Sequence, residues 1–152
     1  MPVTPVKAAP VCPDDGILEV VEHGGVRYAE VIRAGRRSET TRFFSPPGSS
    51  LQFGLLAHDA GFSEPAHNHK AVRREIWDLQ QMFVVQRGKV LVAFYDEAGK
   101  RFREVVLGVG DAILLIQGAH SVHALEDMQC VSVKQGPFLG IDNDKVLIEV
   151  KK

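Results

Sequence analysis

The feature that most constrains this fold is its rhythm: short β-type runs, broken every few residues by turn chemistry, with no long helical period anywhere. The runs are Ile17 to Val21, Val26 to Ile32, Leu51 to Ala57, Gln81 to Gln86 and Lys89 to Tyr95. They continue with Phe102 to Leu107, Ala112 to Ile116, Ser121 to Leu125, Gln129 to Lys134 and Val146 to Val150. Each is rich in β-branched or aromatic residues, which suit a pleated, half-buried surface. Gly24-Gly25, Pro46-Pro47-Gly48, Arg87-Gly88, Ala98-Gly99-Lys100, Gly108 to Asp111 and Gly136-Pro137 supply the turns between them. The least strand-like piece, Ala71 to Leu79, reads as a helical turn or a lid. Many short strands at this spacing favour an all-β sandwich or barrel over a parallel α/β sheet.

A chain of 152 residues is long enough to bury one core and too short for two ordinary domains. Residues 1–15 carry Pro2, Pro5, Pro10 and Pro13 and read as an irregular N-terminal arm; residues 16–152 read as a single β-barrel domain. A formal charge of -1 gives no field to gather nucleic acid or an anionic membrane surface. Apolar runs such as Ala112 to Ile116 are far too short to span a bilayer. The opening Met-Pro-Val-Thr-Pro-Val-Lys has no long apolar run, so the expected location is cytoplasmic. Cys12 and Cys130 make no disulfide framework and are expected to be reduced there.

Chemistry-bearing residues concentrate in two places. The first is Pro65-Ala66-His67-Asn68-His69. In a strand, alternate side chains share a face, so His67 and His69 would point together and form half of a metal site; two surface histidines near a turn are the plainer alternative. The second runs from Gly110-Asp111 through the apolar strand Ala112 to Ile116 and the Gly118 loop to His120 and His123.

The order of these pieces (His-x-His, a strand ending in Gly88, Gly-Asp, a strand, a glycine loop and histidines) resembles the cupin superfamily over roughly Gly61 to Leu125. The resemblance implies a double-stranded antiparallel β-helix, or jelly-roll barrel, holding one divalent metal ion, with zinc, iron, manganese and nickel all open. It matches His67 and His69 to the family's histidine pair and Gly88 to its glycine. The family's acid falls on Gln81, seven residues before Gly88; Glu75 is the alternative acid, but would move the glycine to Met82. Twelve residues separate His69 from Gln81, more than the family's usual gap. The family's later histidine falls on Ser121, so His120, one residue earlier, is the favoured ligand and His123 the reserve. Those two have opposite strand parity. The implied metal set is therefore His67, His69, Gln81 and His120.

An amide at Gln81 cancels none of the ion's charge, which would weaken its hold and leave it a stronger Lewis acid. Lys134 shares parity with Ser132 and Cys130 and would anchor an anion if that face is interior; an edge lysine turned to solvent is the plainer reading. Arg73 and Arg74 are candidates to grip a phosphate or carboxylate, against a solvated basic loop. His123 and Lys134 stand as candidate catalytic groups.

A narrower likeness covers Leu125-Glu126-Asp127 and Val133-Lys134-Gln135-Gly136-Pro137-Phe138, which resemble a subgroup of small bacterial cupins. A looser one links His67, His69, Lys70, Gln81 and Gly88 to nucleotide-sugar ketoisomerases. Two function classes follow. One is a metal-dependent isomerase, epimerase or lyase acting on a small sugar- or oxo-acid-like molecule. The other is a non-catalytic ligand-binding or sensor cupin. A homodimer is expected in either case.

Overall fold

The structure is a computed structural model and describes residues 15–151. The arm expected over 1–15, including Cys12, lies outside the described residues except for Asp15. In chain order the elements are β1 (Leu18–His23), β2 (Val26–Ile32), β3 (Arg42–Phe43), β4 (Gly54–Leu55), β5 (Gln81–Arg87) and β6 (Val90–Tyr95). They continue with β7 (Arg101–Leu107), β8 (Ala112–Leu115), β9 (Ala119–Ala124), β10 (Gln129–Lys134) and a single helical turn, α1 (Ile141–Asp144). The strands form a five-stranded sheet in the order β1-β2-β8-β5-β10, a three-stranded sheet β7-β6-β9 and the two-stranded β3-β4. Every strand pair is antiparallel. The protein is all-β, as its turn-broken apolar runs predict.

Directly opposed residues in an antiparallel pair share a face, and this fixes which side chains meet. Ala29 and Val31 of β2 oppose Leu115 and Ile113 of β8. Those two oppose Gln81 and Phe83 of β5, which face Lys134 and Ser132 of β10. In the other sheet, Val90, Val92 and Phe94 of β6 oppose Leu107, Val105 and Arg103 of β7 on one side and Ala124, Val122 and His120 of β9 on the other. One buried cluster draws on both sheets: Val21, Ala29, Val31, Phe83, Val85, Val90, Val92, Phe94, Val105, Leu107, Ile113 and Leu115. Burying this much apolar surface is the main favourable term in folding such a chain.

Two devices hold the sheets in place. Opposite the Val21/Glu22 register shift, Tyr28 is skipped in the β1–β2 pairing. This bulge turns Tyr28 inward beside Ala29 and places Arg27 on the side of Glu30. Arg27 Nη1 then lies 2.8 Å from the fully buried Glu30 carboxylate, whose other oxygen accepts a 2.8 Å hydrogen bond from Ser45 Oγ. A buried carboxylate so satisfied avoids the large cost of an unpaired charge. The second device is Arg33, which donates to Glu19 from Nε and Nη2, to Asp111 at 3.1 Å, and to the Val106 carbonyl of β7 at 2.6 Å. It thereby ties the five-stranded sheet to the three-stranded one.

Three stretches differ from the sequence expectation. Leu51 to Ala57 narrows to β4, paired with Arg42–Phe43, which carried no strand signal. Ala71 to Leu79 forms neither helix nor strand; the whole of 56–80 is irregular and almost entirely exposed. Val146 to Val150 has a strand's composition but no strand partner among the described residues. Nearby, only the bridge from Lys100 to Lys151 forms. A strand needs a neighbour, and local pattern alone does not supply one.

Candidate functional site

The end of the two sheets remote from the Arg87–Gly88 turn collects the polar side chains. Gln81 opens β5, seven residues before Gly88, and Lys134 closes β10 directly opposite it. Both project from the core-facing side, in line with Phe83 and Val85. Gln81 Nε2 donates to Ser132 Oγ at 2.8 Å. On the facing sheet, His120 sits opposite Phe94, near the end of β6 farthest from the same turn, and shares the core-facing side with Val92 and Phe94.

The Gly118 loop aims His120. Gly118 has a φ of 79°, and a Cβ there would lie 2.2 Å from a ring carbon of Tyr28. Only glycine allows the backbone so close to the ring, which itself packs edge-on against Phe94 and Phe102. The Gly108–Asp111 turn before β8 is braced separately. Asp111 accepts hydrogen bonds from the Ala34 and Gly108 N–H groups at 2.8 and 3.0 Å, besides its pair with Arg33. The Gly-Asp piece of the second motif is thus a structural brace that starts β8 in register.

Electrostatics mark the same end. His120 is open to solvent on one side, yet burial pulls its pKa below the ordinary imidazole value; the Gly118 carbonyl opposes the shift and the charge of Lys145 adds to it. His120 is therefore biased toward its neutral form. Burial also pushes the Cys130 thiol up, where it packs against the core from β10. The Lys134 ammonium lies 3.9 Å from Asp144 Oδ2 and 5.0 Å from the centre of the Phe138 ring. The segment after β10 thus returns across this end of the sheets.

The remaining sequence candidates lie elsewhere. His67 and His69 are on the irregular, exposed stretch, where their rings meet at 5.3 Å and 72°. His67 Nδ1 is 3.0 Å from the Pro65 carbonyl oxygen and 3.8 Å from Glu64. The face-sharing argument presumed a strand here, and none forms. Among the described residues, no three His, Cys, Asp or Glu side chains converge to hold a metal ion. As placed, the four residues of the implied set are divided between the exposed stretch, which carries His67 and His69, and the sheet end, which carries Gln81 and His120.

β9 turns His123 to the face opposite His120, where its Nε2 lies 3.1 Å from Ser121 Oγ, itself 3.0 Å from the Tyr95 hydroxyl. His120 and His123 therefore cannot serve one ligand. Arg73 pairs with Glu75 at 2.5 Å and Arg74 donates to the Val72 carbonyl, so both are engaged locally on the exposed stretch. Sequence reasoning passed over Asp144 and Lys145, and noted Ser132 only as sharing a face with Lys134. The polar run Asp142-Asn143-Asp144-Lys145 just past Gly136-Pro137 was the available signal.

Comparison with models of known families, with curated proteins and with solved structures finds no match to this chain.

Proposed function

We propose that the two sheets close as a jelly-roll barrel of cupin type and that its open end binds a small polar ligand, sugar- or oxo-acid-like. In this reading His120 holds or moves a proton, and Gln81, Ser132 and Lys134 orient the ligand. The observation that supports it is the register of these groups, which puts them at the same end of two sheets that share an apolar core. A few placed polar groups over an apolar floor are the usual make-up of a small-molecule site. A neutral imidazole there suits general acid–base work, the chemistry of an isomerase, epimerase or lyase; a sensor or binding module would use the same groups without turnover.

Calorimetric titration with small sugars and 2-oxo acids tests binding, and proton NMR in D2O tests catalysis. Exchange of the hydrogen next to the ligand carbonyl, lost in His120→Gln, supports the enzymatic form. Binding without exchange supports the module. Binding that persists unchanged in both His120→Gln and Lys134→Met removes the site altogether.

One observation favours a second reading. The two imidazoles of His67 and His69 already lie 5.3 Å apart, edge to face, and a divalent ion bound by them would join Gln81 and His120 if residues 56–80 folded onto the sheet end. A homodimer is proposed as well. Among the described residues β10 has a strand on one side only, and its outer-face Val131 and Val133 are half exposed.

A further inference from the structure

The single turn of α1 is packed the wrong way round for a helix held by its apolar residues. Ile141 is 67% exposed, and Phe138 and Leu139 before it are equally open, whereas the Asp144 side chain is only 11% exposed. What the turn directs inward is a carboxylate, and the group it meets is Lys134. Their separation of 3.9 Å is longer than a charge-assisted hydrogen bond, which runs near 2.7–2.9 Å. The contact is attractive but loose, the kind of pair a better-fitting anion displaces. The Phe138 ring 5.0 Å from the Lys134 nitrogen helps keep the ammonium in place when its carboxylate partner leaves. Gln81 and Ser132 flank Lys134 on the same face.

We infer that Lys134 anchors a carboxylate-binding subsite, and that the chain's own Asp144 occupies it until a small carboxylic acid takes its place. This rests on the reading of the open end as a ligand site and adds the ligand's class and an internal competitor. The class follows from the occupant: a carboxylate on a single short turn already seats against Lys134. Lys134 and His120 stand at the same end of the two sheets, so a ligand whose anionic end meets Lys134 reaches toward the imidazole with its other end. Binding costs the displacement of Asp144, so free protein binds more weakly than one without that carboxylate.

Calorimetric titration of pyruvate into the full chain at low salt tests this, with four proteins compared. Asp144→Asn should bind about two- to fivefold more tightly than wild type, the range expected for releasing a partly exposed ion pair. Lys134→Met should bind at least about tenfold more weakly, as for loss of a charged hydrogen-bonding partner. Asp142→Asn changes the net charge equally from the same turn, but Asp142 makes no ion pair among the described residues; its affinity should equal wild type. If wild type binds pyruvate and Asp144→Asn binds no better, or Asp142→Asn tightens binding as much, the internal competitor is overturned and the ligand site stands. Inorganic phosphate binding Asp144→Asn as tightly as pyruvate overturns the carboxylate assignment. No binding of pyruvate in any of the four overturns this inference, and the ligand site then falls with it only if the sugars also fail to bind.

Discussion

Gly118→Ala isolates the loop that aims His120. The substitution places a methyl group 2.2 Å from Cε1 and 2.5 Å from Cδ1 of Tyr28, at a residue whose φ is 79°. Left-handed backbone costs an alanine about 1–2 kcal/mol relative to glycine. The steric part depends on whether the ring yields. Tyr28 is only 6% exposed and its ring lies 4.9 Å from Phe102 and 6.4 Å from Phe94, edge-on to both, so yielding repacks the core. Overpacking of this kind costs about 1–3 kcal/mol, and the two terms together come to about 2–5 kcal/mol. At this chain length each kcal/mol lowers Tm by about 2–4 °C. Chemical denaturation of wild type, Gly118→Ala, Tyr28→Leu and the double variant resolves the parts. Leucine lacks the nearest ring atom, so in the Tyr28→Leu background Gly118→Ala should cost only the backbone term, and the cycle should show about 1–3 kcal/mol of coupling. Strict additivity would refute the claim that the ring enforces glycine here. Ligand titration of Gly118→Ala supplies the functional arm, since a displaced loop carries His120 with it.

Three further outcomes are expected. Burial alone would raise the Asp111 carboxyl, but hydrogen bonds from Ala34 and Gly108 and the pair with Arg33 outweigh it and hold it below the ordinary value. Its stabilising contribution is therefore full above about pH 4 and lost as pH falls through the depressed pKa; Asp111→Asn should cost about 1–3 kcal/mol at pH 7 in denaturant melts, the gap to wild type closing in acid. On the metal reading, Gln81→Glu should tighten zinc binding to chelator-stripped protein by at least about tenfold, and unchanged affinity would remove Gln81 as a ligand. Light scattering should give a dimer that Val131→Lys with Val133→Lys dissociates while circular dichroism stays β-type; a wild-type monomer of 16.7 kDa at high concentration would end the dimer proposal.

Much of the sheet structure was legible because each strand's evidence is local. Apolar runs of four to eight residues between glycine or proline turns gave β1, β2 and β5 to β10 with small boundary errors. Parity carried one step further: Cys130, Ser132 and Lys134 were placed together, and β10 turns them all toward the shared core. Parity did not carry over to His67 and His69, because it has meaning only inside a strand, and 56–80 forms no strand. Val146 to Val150 failed for the complementary reason, since its alternation is strand-like but its neighbour is set by the whole fold. The bulge at Tyr28 was invisible from sequence, and a glutamate between Ala29 and Val31 gives no sign that Arg27, three residues before it, and Ser45, fifteen residues after it, satisfy its carboxylate. Asp144 was missed because a short polar run after a Gly-Pro turn looks like any surface loop.

Charge at the open end weighs on which ligand it takes. Lys134 and Lys145 bring two positive charges and Asp144 one negative, and Gln81 supplies a neutral amide where the resemblance implies an acid. The excess is positive; burial is the main cause that lowers the pKa of His120, and the charge of Lys145 adds to it. A potential that opposes adding a proton to an imidazole opposes a divalent cation more strongly, since the Coulomb energy scales with the charge brought in. A carboxylate ligand lowers that potential and pairs with Lys134. The two readings of the site are therefore coupled: an ion brought in by His67 and His69 gains most when an anion is already bound. Zinc affinity should accordingly rise when pyruvate is present, and by linkage pyruvate affinity should rise by the same factor when zinc is present. Calorimetry in both orders of addition measures the two factors. Equal zinc affinity with and without pyruvate would separate the histidine pair from the open end and leave the anion subsite to act alone.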